Sequence, residues 1–369
     1  MDPQERFCPN ADCPARGQIG KGNIRVHSQR ETRYRCRVCG HTFSGRDGTV
    51  FSCLHTHPNA VILVLTLLAH GCPVSAITAA FGFQERTVRD WIEKAGRHCE
   101  TVHEALVQQP RDLGQIQADE IRVKTQRGIV WVAMALSVPS RIWLGAVTEA
   151  SRSKGLIRSM LEKVRSCALE CPLLVAVDGL STYIDAIRRV FRTPVRTGHR
   201  GAPRKEPWAG LVIGQVIKRY EKRRVVEVDR RLVSGTEEQA AQLIVQTQRA
   251  GVLNTAFIER LNATFRARLF CLVRRTRSLA RGIPLLSSGV YLVGTIYNFC
   301  TPHDSLPPND LQTGTKTHRT PAMAAGITDH VWTVAELLWR RTPPPPWQPP
   351  RQRGRKSKQL LAIVQRWAS

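Results

Sequence analysis

The 369-residue sequence is short of acidic side chains. Its 29 Asp and Glu stand against 55 Lys and Arg, which leaves a formal net charge of +26 and a pI near 10.6. So large a basic excess favours a polyanionic partner, because each phosphate that a Lys or Arg neutralises releases condensed counterions. Nucleic acid and an acidic membrane surface are both candidates, and a basic protein that binds neither is the alternative.

Long hydrophobic runs are missing as well. The longest, residues 60–69, covers about ten residues, whereas a membrane-spanning helix requires ~20. The first residues, Met-Asp-Pro-Gln-Glu, lack the positive start and apolar core of a secretory signal. We therefore expect no membrane partner, a cytoplasmic and nucleoid-associated chain, and reduced cysteines.

Four of the 11 cysteines are arranged as two close pairs. Cys8 and Cys13 are separated by four residues, Cys36 and Cys39 by two, and 22 residues lie between the pairs. Two such pairs on tight turns can close a tetrahedral site, so residues 1–52 are predicted to form a zinc ribbon around a structural Zn²⁺. Four unligated thiols are the alternative. A weaker candidate for a second metal cluster is Cys53, His55 and His57.

The next segment, residues 58–100, is predicted to be helical. A short helical pattern over residues 74–80 and a second one from residue 84 are separated by Gly82, which suits a left-handed turn. This is a helix-turn-helix pattern with an apolar supporting helix before it. Helical hairpins without a binding role are common, but the charge and the neighbouring ribbon favour DNA binding. The side chains predicted to contact DNA are Gln84, Arg86, Thr87 and Arg89.

The largest block, residues 110–305, alternates strand-like and helical stretches, which indicates a mixed α/β domain. A strand is predicted to end at Asp119, and two antiparallel strands follow within residues 129–147. The apolar stretch 172–177 is typical of a buried central strand, and it ends at Asp178. Acids at strand ends lie where open α/β sheets place their chemistry.

A third acid falls on a predicted helix. Residues 254–266 carry apolar side chains at helical spacing, and Glu259 lies next to that buried seam. An acid at this position can face the ends of the two strands. Asp229 is the rival candidate, although the alternating charges around it are typical of an exposed strand.

These features together resemble a known family. The strand leading into Asp119-Glu120, the Val177-Asp178-Gly179 stretch and the helix Phe257-Ile258-Glu259-Arg260-Leu261-Asn262 look like bacterial insertion-sequence transposases of the DDE superfamily, in the branch that carries a zinc ribbon and a helix-turn-helix before the catalytic domain. The resemblance covers about residues 8–300. It implies a ribonuclease-H-like mixed sheet flanked by helices, with Asp119, Asp178 and Glu259 as catalytic, metal-binding acids.

The separation of the last two acids departs from a minimal core. Eighty residues lie between Asp178 and Glu259, which predicts an insertion, around residues 196–250, or extra strands. The family's reaction would be hydrolytic nicking at the element ends, followed by attack of the freed 3′-hydroxyl on target DNA. Its expected partners are the element's terminal repeats, a target duplex and further copies of the chain, with no small-molecule cofactor.

The proposed chemistry explains why three acids are needed. Phosphoryl transfer depends on positioning and charge neutralisation, which two Mg²⁺ ions, or Mn²⁺ in their place, can supply to carboxylate ligands. Asp178 is expected to bridge both ions, and Asp119 and Glu259 each to hold one. Strand alternation is expected to point Glu120 to the opposite face.

Arginine-rich stretches flank the third acid, as a DNA-cutting enzyme requires, because acids alone would repel phosphate. The side chains predicted to contact DNA here are Arg260, Asn262, Arg266, Arg274, Arg275 and Arg277. Trp208 is either a core residue or a platform for an unpaired base. Residues 306–369 are predicted to be a Pro-rich and basic C-terminal tail, with the proline run 343–346 as a spacer before a flexible arm.

Two other functions stay open at this point. A non-catalytic DNA-binding protein derived from a transposase would keep the ribbon and the helix-turn-helix without the chemistry. A structure-specific nuclease would cut DNA without strand transfer. The presence of all three acids favours an enzyme over the first alternative, but it does not separate the transposase from the nuclease.

Overall fold

The computed structural model describes residues 2–195, 202–222, 224–249, 251–274, 279–306, 318–349, 354 and 357–367. The α-helices, in chain order, are α1 (Pro58–Ala69), α2 (Val74–Phe81), α3 (Glu85–Leu106), α4 (Lys154–Cys167), α5 (Ser181–Val190), α6 (Glu237–Gln248), α7 (Ala256–Arg268), α8 (Ile283–Cys300), α9 (Pro321–Ala324), α10 (Val334–Trp339) and α11 (Lys358–Trp367). The β-strands, in chain order, are β1 (Ile24–Ser28), β2 (Arg33–Cys36), β3 (Thr42–Ser44), β4 (Gln115–Thr125), β5 (Gly128–Ser137), β6 (Trp143–Glu149), β7 (Leu173–Asp178), β8 (Arg192–Val195), β9 (Arg204–Pro207), β10 (Leu211–Glu221) and β11 (Arg224–Ser234).

The chain divides into two compact units. The small unit comprises Met1–Ala60 and Leu338–Ser369, and the large unit comprises Val61–Leu337. In the small unit, β1, β2 and β3 form an antiparallel three-stranded sheet. A sheet of this size buries little apolar surface, so the small unit needs further packing or crosslinking to be stable.

The C-terminal segment supplies part of that packing. Trp367, at the end of α11, joins the buried cluster that contains Tyr34, and the Gln18 side-chain amide donates to the Trp367 carbonyl at 3.0 Å. The ring of Trp339 packs on Phe51 with centroids 4.3 Å apart. Part of the segment predicted to be a flexible arm is therefore folded, because burying a Trp ring removes a large apolar surface from water.

A six-stranded mixed sheet forms the centre of the large unit, in the order β11-β10-β7-β4-β5-β6. Strands β4, β7 and β10 are parallel, while β5, β6 and β11 are each antiparallel to the strand beside them. Five of the six residues of β7 are buried, as its continuous apolar sequence requires of a central strand. The predicted mixed α/β domain is confirmed.

Alternate side chains of β4 attach helices to one face of the sheet. The side-chain oxygen of Gln115 accepts a hydrogen bond from the Thr247 hydroxyl of α6 at 2.7 Å. Two residues on, Gln117 Oε1 accepts from the N–H groups of Phe257 and Ile258 at the start of α7, both at 3.0 Å. The first N–H groups of a helix have no partner within it, so Gln117 caps α7 and ties it to the sheet.

Helix α8 closes the other edge of the sheet. Asn298 Oδ1 accepts from the backbone N–H of Trp143 at 2.9 Å, and its Nδ2 donates to the Trp143 carbonyl at 2.8 Å. One side chain therefore pairs both backbone groups of Trp143 on the edge strand β6, as a neighbouring strand would. At Gly294 a Cβ would clash with the Trp143 ring, so the close approach requires glycine. Within the described residues, α8 is also the one helix long and apolar enough to cross a membrane, but 72% of that stretch is buried, as in a core helix.

Helices α2 and α3 lie in the predicted helix-turn-helix segment. Ile77 of α2 and Val88 and Trp91 of α3 are buried, and Gly82 between the helices has φ +70°. The turn therefore uses the left-handed conformation that the sequence indicated. Helix α3 continues to Leu106, well beyond the predicted stretch, because its later turns pack against α8.

The described residues between Asp178 and Glu259 are only partly additional to the core, because β10 pairs with β7 in the central sheet. The additional elements are the edge strand β11, the β8–β9 hairpin and α6. Trp208 follows the hairpin and is 6% exposed, with its Nε1 donating to the Thr193 hydroxyl at 2.9 Å. Trp208 is thus a core residue, and the base-stacking alternative is wrong.

His103 of α3 makes the stability of the large unit depend on pH. Burial against Trp143 and Tyr291 lowers the pKa of His103 to about 3, whereas an unfolded histidine has a pKa near 6.5. Between these two pKa values the unfolded chain binds a proton at His103 and the folded chain does not. The contribution of His103 to the free energy of unfolding is therefore complete above about pH 6.5 and is lost as pH falls towards 3. The loss is about 1.4 kcal/mol per pH unit for one such group.

We expect His103→Gln, which cannot titrate, to reduce the slope of unfolding free energy against pH by about that amount. Urea denaturation at several pH values from roughly 4 to 7, most of which lie between the folded and unfolded pKa of His103, measures this slope. The exposed His70 provides the matched control, since His70→Gln should leave the slope unchanged. Equal slopes in His103→Gln and the unsubstituted protein would contradict this account.

Candidate functional site

Asp119 and Asp178 lie side by side where two parallel strands part. The β4–β7 pairing ends at Gln117 and Ala176, and both acids stand two residues further along. Asp119 is in the interior of β4 and not at its end, as had been expected, because β5 continues to pair with β4 as far as Thr125. Beyond the last β4–β7 pair the two strands no longer hydrogen-bond to each other, and the gap between them leaves room for both carboxylates.

Glu120 joins this group, which the sequence did not indicate. Carboxylate oxygens of Asp119, Glu120 and Asp178 all lie within 4.8 Å of one another. Glu120 contacts Arg152, whereas Asp119 contacts Asn262 of α7, so the two neighbours do point to different faces of β4 as alternation predicts. Since β7 stops at Asp178, the Glu120 carboxylate still reaches the others around the end of that strand.

The Glu120 side chain is completely buried and is held by one cation. Arg152 Nη2 lies 3.0 Å from Glu120 Oε2 and 3.6 Å from Asp178 Oδ2. Burial raises the pKa of Glu120, while Arg152 opposes the rise. The buried hydroxyl of Tyr183 faces this carboxylate, and burial together with the charge of Glu120 raises the pKa of that hydroxyl.

Burial raises the pKa of Asp119 to about 7, and the charges of Glu120, Asp178 and Glu259 add to the effect. The Asn262 amide donates to Asp119 Oδ2 at 2.7 Å. Asn262 is 2% exposed, so the expectation that it contacts DNA is not what the structure shows. On α7, Asn262 lies among the buried residues that face the sheet. Its Oδ1 has no hydrogen-bond partner among the described residues.

Glu259 lies in the first turn of α7, in the same cavity as Asp119 and Asp178 but outside the 4.8 Å carboxylate group. Its carboxylate pairs with Lys218 of β10 and accepts a hydrogen bond from the Thr255 hydroxyl. The cavity measures about 670 Å³. Glu259 thus faces the two strands as predicted, but in this state a lysine holds it.

This donor set suits a hard divalent cation. The clustered ligands are carboxylate oxygens, and repulsion between the acids opposes their joint ionisation. Arg152 and Lys218 supply the compensating charge. Lys218 is the first charged residue after the apolar start of β10, a signal the sequence offered, whereas nothing in the sequence distinguished Arg152.

Basic side chains also surround the cavity. Arg266, which is half-buried, and Arg274 line it, while Arg260 is exposed on α7. Of the predicted DNA-contacting residues, two lie outside the described residues: Arg275 and Arg277. On α3 and at its start, Gln84 and Arg86 are exposed, Thr87 and Arg89 are half-buried, and Arg89 pairs with Glu85. Asp229, the rival acid, pairs with Arg231 on β11.

A second candidate metal group lies in the small unit. The four sulfur atoms of Cys8, Cys13, Cys36 and Cys39 lie within 4.8 Å of one another, with Sγ–Sγ distances of 3.6 Å for Cys8–Cys39 and 3.8 Å for Cys13–Cys36. A tetrahedron of sulfurs ~2.3 Å from a zinc ion has edges of about 3.8 Å. Burial raises the pKa of Cys8 well above its usual value, so a thiolate there needs a cation.

The weaker candidate cluster is not assembled in the described part of the chain. Cys53, His55 and His57 are all exposed, and they do not form a ligand group. The His57 ring nitrogen Nδ1 instead accepts a hydrogen bond from the backbone N–H of Asn59 at 3.3 Å. The four cysteines are therefore the candidate metal ligands of the small unit.

The sequence matches no family model, and no curated protein sequence matches it. Among solved structures, the chain is similar to one described as a piggyBac transposase synaptic complex with hairpin DNA, determined by cryo-EM. The identity is 7% and the TM-score 0.37, over 79% of this chain and 71% of that chain. At that identity and TM-score the likeness carries no conclusion about this chain.

Proposed function

We propose that this protein is a Mg²⁺-dependent DNA transposase of the DDE type with a ribonuclease-H-like core. The observation that carries the proposal is the alignment of Asp119 on β4 with Asp178 at the end of β7, with carboxylate oxygens within 4.8 Å. Glu259 on α7 lines the same cavity. The mixed six-stranded sheet flanked by helices is consistent with such a core.

The chain's own residues have distinct parts in this reaction. Asp119, Asp178 and Glu259 would hold two Mg²⁺ ions, which would supply charge neutralisation at the scissile phosphate and activation of the attacking oxygen. Asn262 keeps Asp119 oriented through its hydrogen bond. Lys218 is the counter-charge of Glu259, and a bound Mg²⁺ would take over that role. Arginines of the cavity wall attract the phosphate backbone that the acids alone would repel.

The remaining parts serve binding. A helix-turn-helix of α2 and α3 would present the exposed Gln84 and Arg86 to the terminal repeats of the element. The four cysteines would hold a structural Zn²⁺ in a ribbon. Cleavage of two ends in one assembly requires more than one copy of the chain. We place the protein with the DNA of the nucleoid, as its net charge of +26 favours.

The direct test is Asp178→Asn. With labelled donor ends, a plasmid target and Mg²⁺, we expect cleavage and joining to fall by about 100-fold or more, while DNA binding stays nearly unchanged, because only the ion-binding charge is removed. Asp185 is exposed on the following helix, so Asp185→Asn is the matched control and should retain activity.

The products decide between the three functions. Joined products from the unsubstituted protein support the transposase, cleavage without joining identifies a nuclease, and binding without cleavage identifies a non-catalytic DNA binder. Loss of DNA binding in Asp178→Asn would show that this acid is structural and would remove the catalytic assignment.

Two glutamates compete for the third ligand position. We expect Glu259→Gln to lose cleavage by about 100-fold or more and to bind Mn²⁺ more weakly in calorimetric titration, because one anionic ligand is lost. Glu237→Gln, an exposed substitution at the start of α6, should behave as the unsubstituted protein. Normal cleavage by Glu259→Gln, together with loss of cleavage and Mn²⁺ binding in Glu120→Gln, would transfer the role to Glu120.

The zinc assignment has its own test. Cys36→Ser should lower the zinc content measured by atomic emission and should expose the small unit to limited proteolysis, because metal binding supplies much of the folding free energy of so small a domain. Cys53→Ser, at an exposed cysteine outside the group, should keep the zinc. Equal zinc content in the two variants would exclude the four-cysteine site.

A further inference from the structure

A basic cavity of about 760 Å³ lies within the small unit. Two acids line it, Glu31 and Asp47, and both Asp47 oxygens already accept hydrogen bonds, from the Ser44 N–H and the Ser52 hydroxyl. The five arginines that line it are Arg6, Arg30, Arg33, Arg46 and Arg341. Five arginines against two acids leave a formal charge of +3 around one cavity.

Arg6 and Arg341 are the two side chains that most need a ligand. Nε and Nη1 of Arg6 and Nε of Arg341 are buried and have no hydrogen-bond partner among the described residues. Burial lowers the pKa of Arg341, and the nearby charge of Arg6 lowers it further. The nearby Glu5 opposes this effect, but the buried N–H groups of the two guanidinium groups stay unpaired, which favours binding of an anion.

The surrounding structure holds these side chains in place. The Arg6 guanidinium lies over the Tyr34 ring, 5.2 Å from its centroid. Arg341, which follows α10 in sequence, donates through Nη2 to the Gly45 carbonyl at 2.8 Å. Arg30 and Arg46 are exposed beside them. The arginines are therefore positioned before any ligand arrives, which reduces the entropy lost on binding.

We propose that this cavity binds the phosphodiester backbone of duplex DNA, with Arg6 and Arg341 holding one phosphate between them and Arg30 and Arg46 contacting its neighbours. At about 760 Å³ the cavity is far larger than a single phosphate ion, and five arginines line it, which fits more than one phosphate of a chain. The DNA partner rests on the proposed function, but binding at this cavity does not depend on chemistry at Asp119 and Asp178.

The test uses the full-length protein with Asp178→Asn, so that binding is measured without cleavage. Fluorescence anisotropy with a short labelled duplex of unrelated sequence is recorded over a range of salt concentrations. For Arg6→Gln combined with Arg341→Gln, we expect the affinity at 0.1 M salt to fall about tenfold for each phosphate that the variant no longer neutralises. The slope of log affinity against log salt should decrease by about 1 for each such phosphate.

The matched control is Arg25→Gln combined with Arg37→Gln, two exposed arginines of the small unit outside the cavity. An equal loss of DNA affinity in both double variants would show that net charge alone accounts for the effect and would contradict a specific site. Unchanged affinity in both would exclude the cavity as a phosphate site. Thermal melting and zinc content report whether the variants fold. If the Arg6 and Arg341 pair does not fold, Arg30→Gln with Arg46→Gln gives the same comparison.

Discussion

The side chain of Gln117 joins the strand that carries Asp119 to the helix that carries Glu259. Its Oε1 accepts from two N–H groups at the start of α7, and its Nε2 donates to the Asn254 carbonyl at 2.7 Å. Gln117 is fully buried, so losing it would leave three backbone groups without these partners, and the buried Ile258 N–H would cost more than its hydrogen bond contributes. Two residues on, Asp119 meets Asn262 of the same helix. These two attachments determine how strand and helix lie together, and with them the position of Glu259.

The acids are close enough that the protein must compensate their charge. Arg152 bridges Glu120 and Asp178, and Lys218 pairs with Glu259. In spite of these cations, burial and neighbouring charge raise the pKa of Asp119 to about 7. A cluster of carboxylates that resists full ionisation gains most from a bound divalent ion, because the ion removes the repulsion that the basic side chains only reduce. The β4–β7 register brings Asp119 and Asp178 together, and the resulting repulsion between the acids favours the metal ion that the proposed chemistry requires.

The small unit meets a different constraint, the lack of a large apolar core. Its three short strands are supported by the buried Cys8, Cys13 and Cys36 and by Trp367 and Trp339 from the C-terminal segment. The same segment places Arg341 at the basic cavity. Residues far apart in sequence thus supply both the packing and the charge of this unit.

The sequence by itself determined the mixed α/β class, the pairing of the cysteines, the helix of Glu259 and the buried strand ending at Asp178, because apolar periodicity and ligand spacing are local properties. Only the tertiary structure decided which side chains meet. Glu120 looked excluded by strand alternation, yet it joins the group because β7 ends beside it. Asn262 was predicted to contact DNA, yet it is buried and donates a hydrogen bond to Asp119. Nothing in the sequence indicated that Arg152 pairs with Glu120 and Asp178. Such contacts depend on where neighbouring strands stop and how helices dock, and neither is encoded in any one segment.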